Sequence, residues 1–296
     1  MLHDFIIGLI ANYLPKNLDN IDNTVLVRLL SLNSRFYSIR DKFIKNACLN
    51  DDQSQYAYDN KPYGWNKAYS MIFIHSSISN VSELGSVHYL LLAACHNIHD
   101  VSALKNIYSL TIDNLHNIHD FSPLRNVHSL VIADCNVSAL PSVHYLNLFH
   151  CNIIDGLVFG QYHCVAIEHC QNISDVSALK HVHSLTLSNF NICDVSALGN
   201  VHSLILKYCV NIHYISALGN LHFLILYNCK NISDVSALKH VQKLTLSCCP
   251  NIIDVSALKH VHSLILKDLN IHDVSALKNV PNLKIINCPN IISRKN

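Results

Sequence analysis

The chain has 296 residues, of which 50% are hydrophobic and 14% are charged, and its formal net charge is +1. This balance excludes a strongly basic nucleic-acid-binding protein and gives no reason to expect binding to an acidic membrane surface. No stretch approaches the roughly eighteen apolar residues of a membrane span, and Asp4 stands where a secretion signal is basic. We therefore expect an intracellular, cytoplasmic, monomeric protein with a large hydrophobic core.

The first 46 residues have a helical pattern. Residues 5–14 carry apolar side chains at helical spacing and are followed by Pro15. Residues 24–32 and 35–44 each follow a polar residue that can cap a helix, Asn23 and Ser34. The sequence therefore predicts three short helices at the N-terminus.

Two segments of this region, LHDFIIGLIANYLP and VLVRLLSLNSRFYSIRDKFI, resemble an F-box. The family's opening Leu-Pro stands here as Leu2-His3, and its usual Trp is absent. The resemblance implies a helical motif that docks on a Skp-type adaptor of a cullin ubiquitin ligase. The adaptor-binding residues that it implies are Leu2, Ile6, Ile10, Leu14 and Pro15. A plain helical cap over the first repeat is the alternative interpretation.

The next segment, residues 47–68, is polar and contains Pro62 and Gly64. We expect a connector or N-terminal cap in which Trp65 covers the edge of the core. The predicted organisation is therefore an F-box-like domain at 1–46, this connector at 47–68 and a repeat domain at 69–292.

The remainder of the chain repeats the pattern NIxDVSALKxVHSLxLxxC. The residue that ends each turn recurs every 19 or 20 positions, apart from one step of 16 between Leu124 and Leu140: Leu84, Leu104, Leu124, Leu140, Phe159, Leu179, Leu198, Leu218, Leu238, Leu258 and Leu277. A fixed period of this length is typical of a solenoid of stacked units. Each unit has one Leu-x-Leu strand, beginning with Met71 and Phe73 and ending with Leu283 and Ile285, which predicts about twelve parallel strands.

The pattern Val-x-x-Leu-x-Leu-x-x-Cys-x-Asn-Ile resembles a leucine-rich repeat. IxDVSALxxVxxL is similar to the internalin type, and the cysteine is similar to the cysteine-containing repeats of F-box proteins. The predicted fold class is an α/β solenoid, a rod of 11–12 short repeats in which one helical turn connects successive strands. We expect the recurrent Asn to bond the neighbouring turn and the Asp of DVSAL to cap its own turn, so that both are structural.

Eight of the twelve cysteines occupy one position of the repeat, which is buried in cysteine-type repeats: Cys95, Cys135, Cys151, Cys170, Cys209, Cys229, Cys249 and Cys288. Stacked neighbours about 5 Å apart fall within disulfide range, so spacing alone leaves disulfides open. The absence of a secretion signal favours reduced thiols.

Eight histidines likewise share one position and form a predicted column along one edge: His88, His128, His144, His163, His183, His202, His222 and His262. The histidine and cysteine positions, such as His163 and Cys170, lie at opposite ends of a strand. They are separated by roughly 20 Å, too far for one zinc ion. We expect stacked imidazoles, no metal and no cofactor.

On the strand face away from the core, the middle repeats carry aromatic and charged residues: Tyr145, Phe149, His150, Glu168, His169, Lys207, Tyr208, Phe223 and Tyr227. Their concentration on a sheet of small residues is typical of a protein-binding hot spot, although aromatic residues also scatter on sheets without function.

The sequence contains no GxGxxG, P-loop, HExxH or GxSxG motif. We therefore expect a non-enzymatic protein. The leading hypothesis is a substrate receptor of a Skp-cullin-type ubiquitin ligase with an unknown target protein on the strand face. The alternative is a free-standing scaffold or decoy whose N-terminal helices serve only as a cap.

Overall fold

The computed structural model of the chain describes residues 46–50, 70–153, 161–170, 172–173 and 175–291. The three predicted N-terminal helices lie outside this part of the chain, as do Trp65 and the turn position Phe159. The implied adaptor-binding residues are outside it as well: Leu2, Ile6, Ile10, Leu14 and Pro15.

The repeats stack into one parallel sheet, which confirms the predicted solenoid. The sheet has thirteen strands in the order β1-β2-β3-β4-β5-β7-β9-β10-β11-β12-β13-β14-β15, and β6 and β8 form a separate two-stranded sheet. The strands β1 to β15 are Asn46–Asn50, Ser70–Ile74, Tyr89–Ala93, Ser109–Asp113, Ser129–Ala133, Asn136–Val137, Tyr145–Phe149, Asn152–Ile153, Cys164–Glu168, Ser184–Ser188, Ser203–Lys207, Phe223–Tyr227, Lys243–Ser247, Ser263–Lys267 and Asn282–Ile286.

The sheet begins one strand earlier than the sequence pattern predicts. We expected the first strand at Met71 and Phe73, but β1 pairs in parallel with β2, in the register Asn46 to Ser70. Its residues, Asn-Ala-Cys-Leu-Asn, include only one large aliphatic side chain. The strand therefore lacks the Leu-x-Leu signal that identifies the others, and the expected connector begins inside it.

The core lies on one side of the sheet because alternate strand residues share a face. The second and fourth residues of every strand from β3 to β5 and from β9 to β14 are buried, as are those of β7. The last strand is different, since Leu283 is half-buried and Ile285 is 36% exposed at the end of the stack.

Single turns of 3₁₀ helix connect most strands, as the short linkers predict. They span Ser82–Ser86, Ser102–Leu104, Ser122–Leu124, Ser177–Leu179, Ser196–Asn200, Ser216–Asn220, Ser236–His240, Ser256–His260 and Ser275–Leu277. The expected aspartate caps are confirmed. For example, the Asp234 carboxylate accepts a hydrogen bond of 2.8 Å from the amide of Ser236, and this bond lowers the pKa of Asp234.

Neighbouring turns stack closely along the side of the rod away from the sheet. A Cβ atom added at Gly199 would lie 2.6 Å from the carbonyl oxygen of Ala217 in the next repeat. The recurrent asparagines tie the repeats together nearby. Asn231 Nδ2 donates to the carbonyl of Val210 at 2.7 Å and Asn251 Nδ2 to that of Lys230 at 2.8 Å. The predicted asparagine ladder is therefore present, and eight of its amides donate to the preceding repeat.

The shortened repeat has a different connection. The segment around Leu140 is extended rather than helical: Asp120 and Ala139 form an isolated parallel bridge, and β6 pairs with β8. Leu140, expected to be an anchor of the core, is only half-buried. The step is three or four residues shorter than the usual one, which leaves too little chain for the 3₁₀ turn.

Each five-residue strand from β2 to β15 is followed by a residue with left-handed backbone geometry. The φ angles lie between 49° and 58° at His75, Ala94, Asn114, Asp134, His150, His169, Asn189, Tyr208, Asn228, Cys248, Asp268 and Asn287. Their amides extend the sheet ladder by one bond, as from Tyr208 N to the Tyr227 carbonyl at 2.9 Å. We refer to this set as the left-handed column.

Candidate protein-binding face

The front face is the side of the sheet away from the core. It consists of the first, third and fifth residues of each five-residue strand, together with the left-handed column at its margin. All nine residues predicted to bind a partner lie on it. They do not form one patch, because the fifth strand position is about 13 Å from the first.

Four of the nine form a phenylalanine–histidine cluster at the ends of β7 and β9. The rings of His150 and His169 stack at 4.5 Å, and Phe149 meets both of them edge-on at 4.4 and 5.5 Å. Glu168 pairs with Phe149 in the sheet register. Partial desolvation and the charge of His150 lower the pKa of His169, and the charge of Glu168 opposes this change.

Three more form a tyrosine cluster at the ends of β11 and β12. Tyr208 is 41% exposed and packs edge-on against Tyr227 at a centroid distance of 5.2 Å. A hydrogen bond between the two side chains, followed by electrostatic repulsion, raises the pKa of Tyr227 to about 12. Lys207 is paired in register with Tyr227. The Tyr227 ring is therefore neutral at physiological pH and lies beside a cation.

The remaining two, Tyr145 and Phe223, occupy first strand positions at the opposite end of the strands. Tyr145 is 41% exposed and packs edge-on against His144 at 4.5 Å and His128 at 5.3 Å. These two residues therefore belong to the margin that carries the histidines, not to either cluster.

The predicted histidine column is a continuous ring stack that runs from His88 to His222. Seven stacked contacts of 4.5 to 4.7 Å join its eight rings: His88, Tyr108, His128, His144, His163, His183, His202 and His222. The sequence pattern overlooked Tyr108, which fills the gap before His128. Gln242 occupies the next position, so His262 stands beyond the end of the stack.

The repeated cysteines face the core. Seven of the eight are buried, and Cys288 is half-buried near the end of the stack. Their thiols donate to backbone carbonyls, as from Cys135 Sγ to the Ala133 oxygen at 3.1 Å. Burial raises the pKa of Cys135 to about 12 and that of Cys209 to about 11. The thiols of Cys135 and Cys209 are therefore protonated at neutral pH and pack as small apolar groups.

One charged residue of the front face was missed by the sequence analysis. Asp113, the fifth residue of β4, is 4% exposed, and its Oδ1 atom has no hydrogen-bond partner. Its register neighbours are Ala93 on β3 and Ala133 on β5. Burial is the main cause that raises the pKa of Asp113 to about 6; the charge of Asp134 adds to the rise and His75 opposes it.

The part of the chain that the structure describes contains no group of three or more His, Cys, Asp or Glu residues placed to hold a metal ion. Nor does any helix within that part have the length and apolar character needed to cross a membrane.

No protein-family model matches the chain, and no curated protein matches it. Several solved structures are similar in fold. An internalin, inlF of Listeria monocytogenes, is 22% identical, with 75% of this chain and 74% of that chain covered and a TM-score of 0.47. The functional domain of InlJ from the same organism, described as including a cysteine ladder, is 15% identical over 74% of this chain and 58% of that one, with a TM-score of 0.41. The leucine-rich repeat domain of the type III effector XopL is 12% identical, with 76% of this chain and 78% of that chain covered and a TM-score of 0.40.

Proposed function

We propose that the chain is a non-enzymatic recognition protein that binds a protein partner on its front face. The observation that carries this proposal is the pair of aromatic clusters at the ends of β7 and β9 and of β11 and β12. Between them β10 presents only Ser184, Thr186 and Ser188 on the front face. Exposed aromatic rings on either side of a floor of small residues provide anchors for a partner and room for its backbone.

The dimensions fit a protein ligand. Four strand spacings of about 4.8 Å separate β7 from β12, so the two clusters together span about 19 Å along the rod. A peptide segment or one side of a small domain spans this distance. Phe149 and Tyr208 are three strand spacings apart, about 14 Å, and a protein partner can use both rings together.

The finer proposal is that this partner is the target of a cullin-type ubiquitin ligase. It rests on the resemblance of residues 1–46 to an F-box, through which the chain would recruit a Skp-type adaptor inside the cell. The competing proposal is a free-standing scaffold or decoy, in which the same residues only cover the first repeat.

Affinity capture with the intact chain tests the ligase role. The wild type should retain a Skp-type adaptor, whereas the double substitution Ile6→Asp with Ile10→Asp should lose it and leave the far-ultraviolet circular dichroism of the repeats unchanged. Equal recovery of the adaptor by both proteins, or by neither, would reject the receptor role in favour of the scaffold.

A second comparison tests the front face independently of the adaptor. For a protein captured by the wild type, Tyr208→Ala and Tyr227→Ala should each weaken binding by about 1–3 kcal/mol. Ser188→Ala removes one hydroxyl from the floor between the clusters and should have almost no effect. Equally small effects at all three positions would place the binding site elsewhere on the molecule.

A further inference from the structure

Asp113 is in an unfavourable position for a structural residue. Buried carboxylates in proteins are ordinarily paired with a cation or fully hydrogen-bonded. Among the described residues Asp113 forms no ion pair, and its Oδ1 atom is buried without a hydrogen-bond donor. Alanine occupies the equivalent position on both neighbouring strands. An uncharged small residue would therefore satisfy the fold at this position.

The groups beside Asp113 are also acceptors. Asn114, the next residue, has a buried Oδ1 atom without a partner. Asp134, one repeat further along the left-handed column, is half-buried and close enough for its charge to act on Asp113. Three acceptor groups, two of them carboxylates, are therefore neighbours at the ends of β4 and β5. Such a group requires a ligand that brings several N–H donors and a positive charge.

We propose that the ends of β4 and β5 form a site for an arginine side chain of the protein partner, whose guanidinium binds Asp113, Asp134 and the Asn114 carbonyl oxygen. This inference rests on the proposed function of the front face and names the chemistry of its ligand. A guanidinium has five donors in a planar fork and can reach two carboxylates at once. An ammonium has three donors at a single point.

The neighbouring strands support this choice of side chain. Phe149 stands two strands from Asp113 in the same register column, and only Ala133 lies between them. Two strand spacings, about 10 Å, separate the strand of the carboxylate from that of the ring, and the alanine between them contributes only a methyl group. A guanidinium in that space can pair with the carboxylates and lie against the phenyl ring, an arrangement that favours arginine over lysine.

The electrostatics at Asp113 agree with a missing cation. Burial and the charge of Asp134 raise its pKa to about 6, and His75 lowers it only in part. A bound guanidinium would supply the compensating charge that the chain itself does not provide.

The experiment uses a phage-displayed library of random twelve-residue peptides, selected on the intact protein. Every enriched peptide is then synthesised with each arginine kept or replaced by citrulline, a neutral side chain of the same shape. Affinities are measured by fluorescence polarisation for the wild type, Asp113→Asn, Asp134→Asn, and Tyr208→Ala combined with Tyr227→Ala. Asp268→Asn is the matched control, because Asp268 is in the same left-handed column but pairs with Lys267 at 3.9 Å.

Enriched peptides should contain arginine and lose at least tenfold in affinity on citrulline substitution, and by a similar factor with Asp113→Asn or Asp134→Asn. Asp268→Asn should leave their affinity unchanged. Peptides that depend on the tyrosines but are indifferent to citrulline and to both aspartate substitutions would overturn the arginine site and leave the front-face function standing. A selection in which no peptide responds to any of these substitutions would overturn both. Circular dichroism melting of each variant separates loss of binding from loss of folding.

Discussion

At the scale of single residues, the left-handed column contains side chains that suit its positive φ angles and others that do not. Asn and Asp tolerate positive φ because their short side chains bond locally. Asn occupies four of the twelve positions, namely Asn114, Asn189, Asn228 and Asn287. A large aromatic residue in this geometry is strained. The presence of Tyr at position 208 is therefore unfavourable for folding and indicates a role for its ring on the front face.

Tyr208→Asn should consequently stabilise the protein while removing the ring. We expect an increase in the free energy of unfolding of about 0.5–1 kcal/mol from relief of backbone strain, together with weaker partner binding. Urea denaturation followed by circular dichroism gives the first quantity, and a binding titration gives the second. If the variant were less stable than the wild type, the packing of Tyr208 on Tyr227 would outweigh the strain.

Asp113 provides a second prediction at this scale. Its pKa is about 6 in the folded protein and 3.8 in the unfolded reference, so between these values the folded state binds more protons. The free energy of unfolding therefore falls as pH rises from about 4 to about 6. Asp113→Asn removes this loss and should be more stable than the wild type at pH 7, by up to about 3 kcal/mol.

The difference between these two proteins should vanish below about pH 4, where Asp113 is protonated in both states. His75 and Asp134, whose charges act on Asp113, are present in both proteins. Urea melts at several pH values measure the difference. A wild type as stable as the variant at pH 7 would show that Asp113 already has a compensating partner within the chain.

At the scale of elements, the ring stack makes neighbouring repeats sensitive to pH. Partial desolvation, followed by the charges of the adjacent imidazoles, lowers the pKa of His163 and of His202. The unfolded chain therefore binds more protons near pH 6 than the folded one. The free energy of unfolding therefore decreases as pH falls from about 6.5 toward 5.

Replacement of His163, His183 and His202 together by Gln should flatten this dependence. Gln is a suitable substitute because Gln242 already occupies the same repeat position. The melting temperature of the wild type should fall more steeply between pH 7 and pH 5 than that of the triple variant. Parallel curves for the two proteins would show that the stack has no part in the pH response.

The repeat elements were predictable because their determinants are local. A Leu-x-Leu pair fixes a strand, and an Asp two residues before Ser236 fixes a cap, within one short segment of sequence. The burial of Asp113 was not predictable in this way, since it depends on Ala93 and Ala133, which belong to other repeats. For a related reason, the sequence did not show that the predicted binding residues divide into two clusters. It provides the order of residues along a strand, but only the register shows which strand ends lie together.

At the scale of the whole molecule, the charge of the front face changes from negative to positive along the rod. The acidic residues of its first half lie on or directly after strands β4 to β9: Asp113, Asp134 and Glu168. The lysines of the front face lie on strands β11 to β15: Lys207, Lys243, Lys267 and Lys284. Asp268 is the acidic exception in the second half, and it pairs with Lys267. A partner with the opposite polarity binds in one direction only, so the charge pattern orients the ligand while the aromatic clusters anchor it.

The coupling between neighbouring repeats is weaker at the shortened repeat. In a solenoid, stability is a sum of couplings between nearest neighbours, and here the stacked 3₁₀ turns supply part of that coupling. Within the described residues no such turn lies between Leu124 and Ser177, so this part of the coupling is missing there, and strand pairing, the core and the ring stack connect the two sides. The rod is therefore expected to open as two cooperative blocks, one on each side of β7. Asp113 belongs to the first block and Tyr208 to the second. A partner that binds both residues acts as a splint across the joint. When it dissociates, the two blocks of the rod again unfold locally and independently.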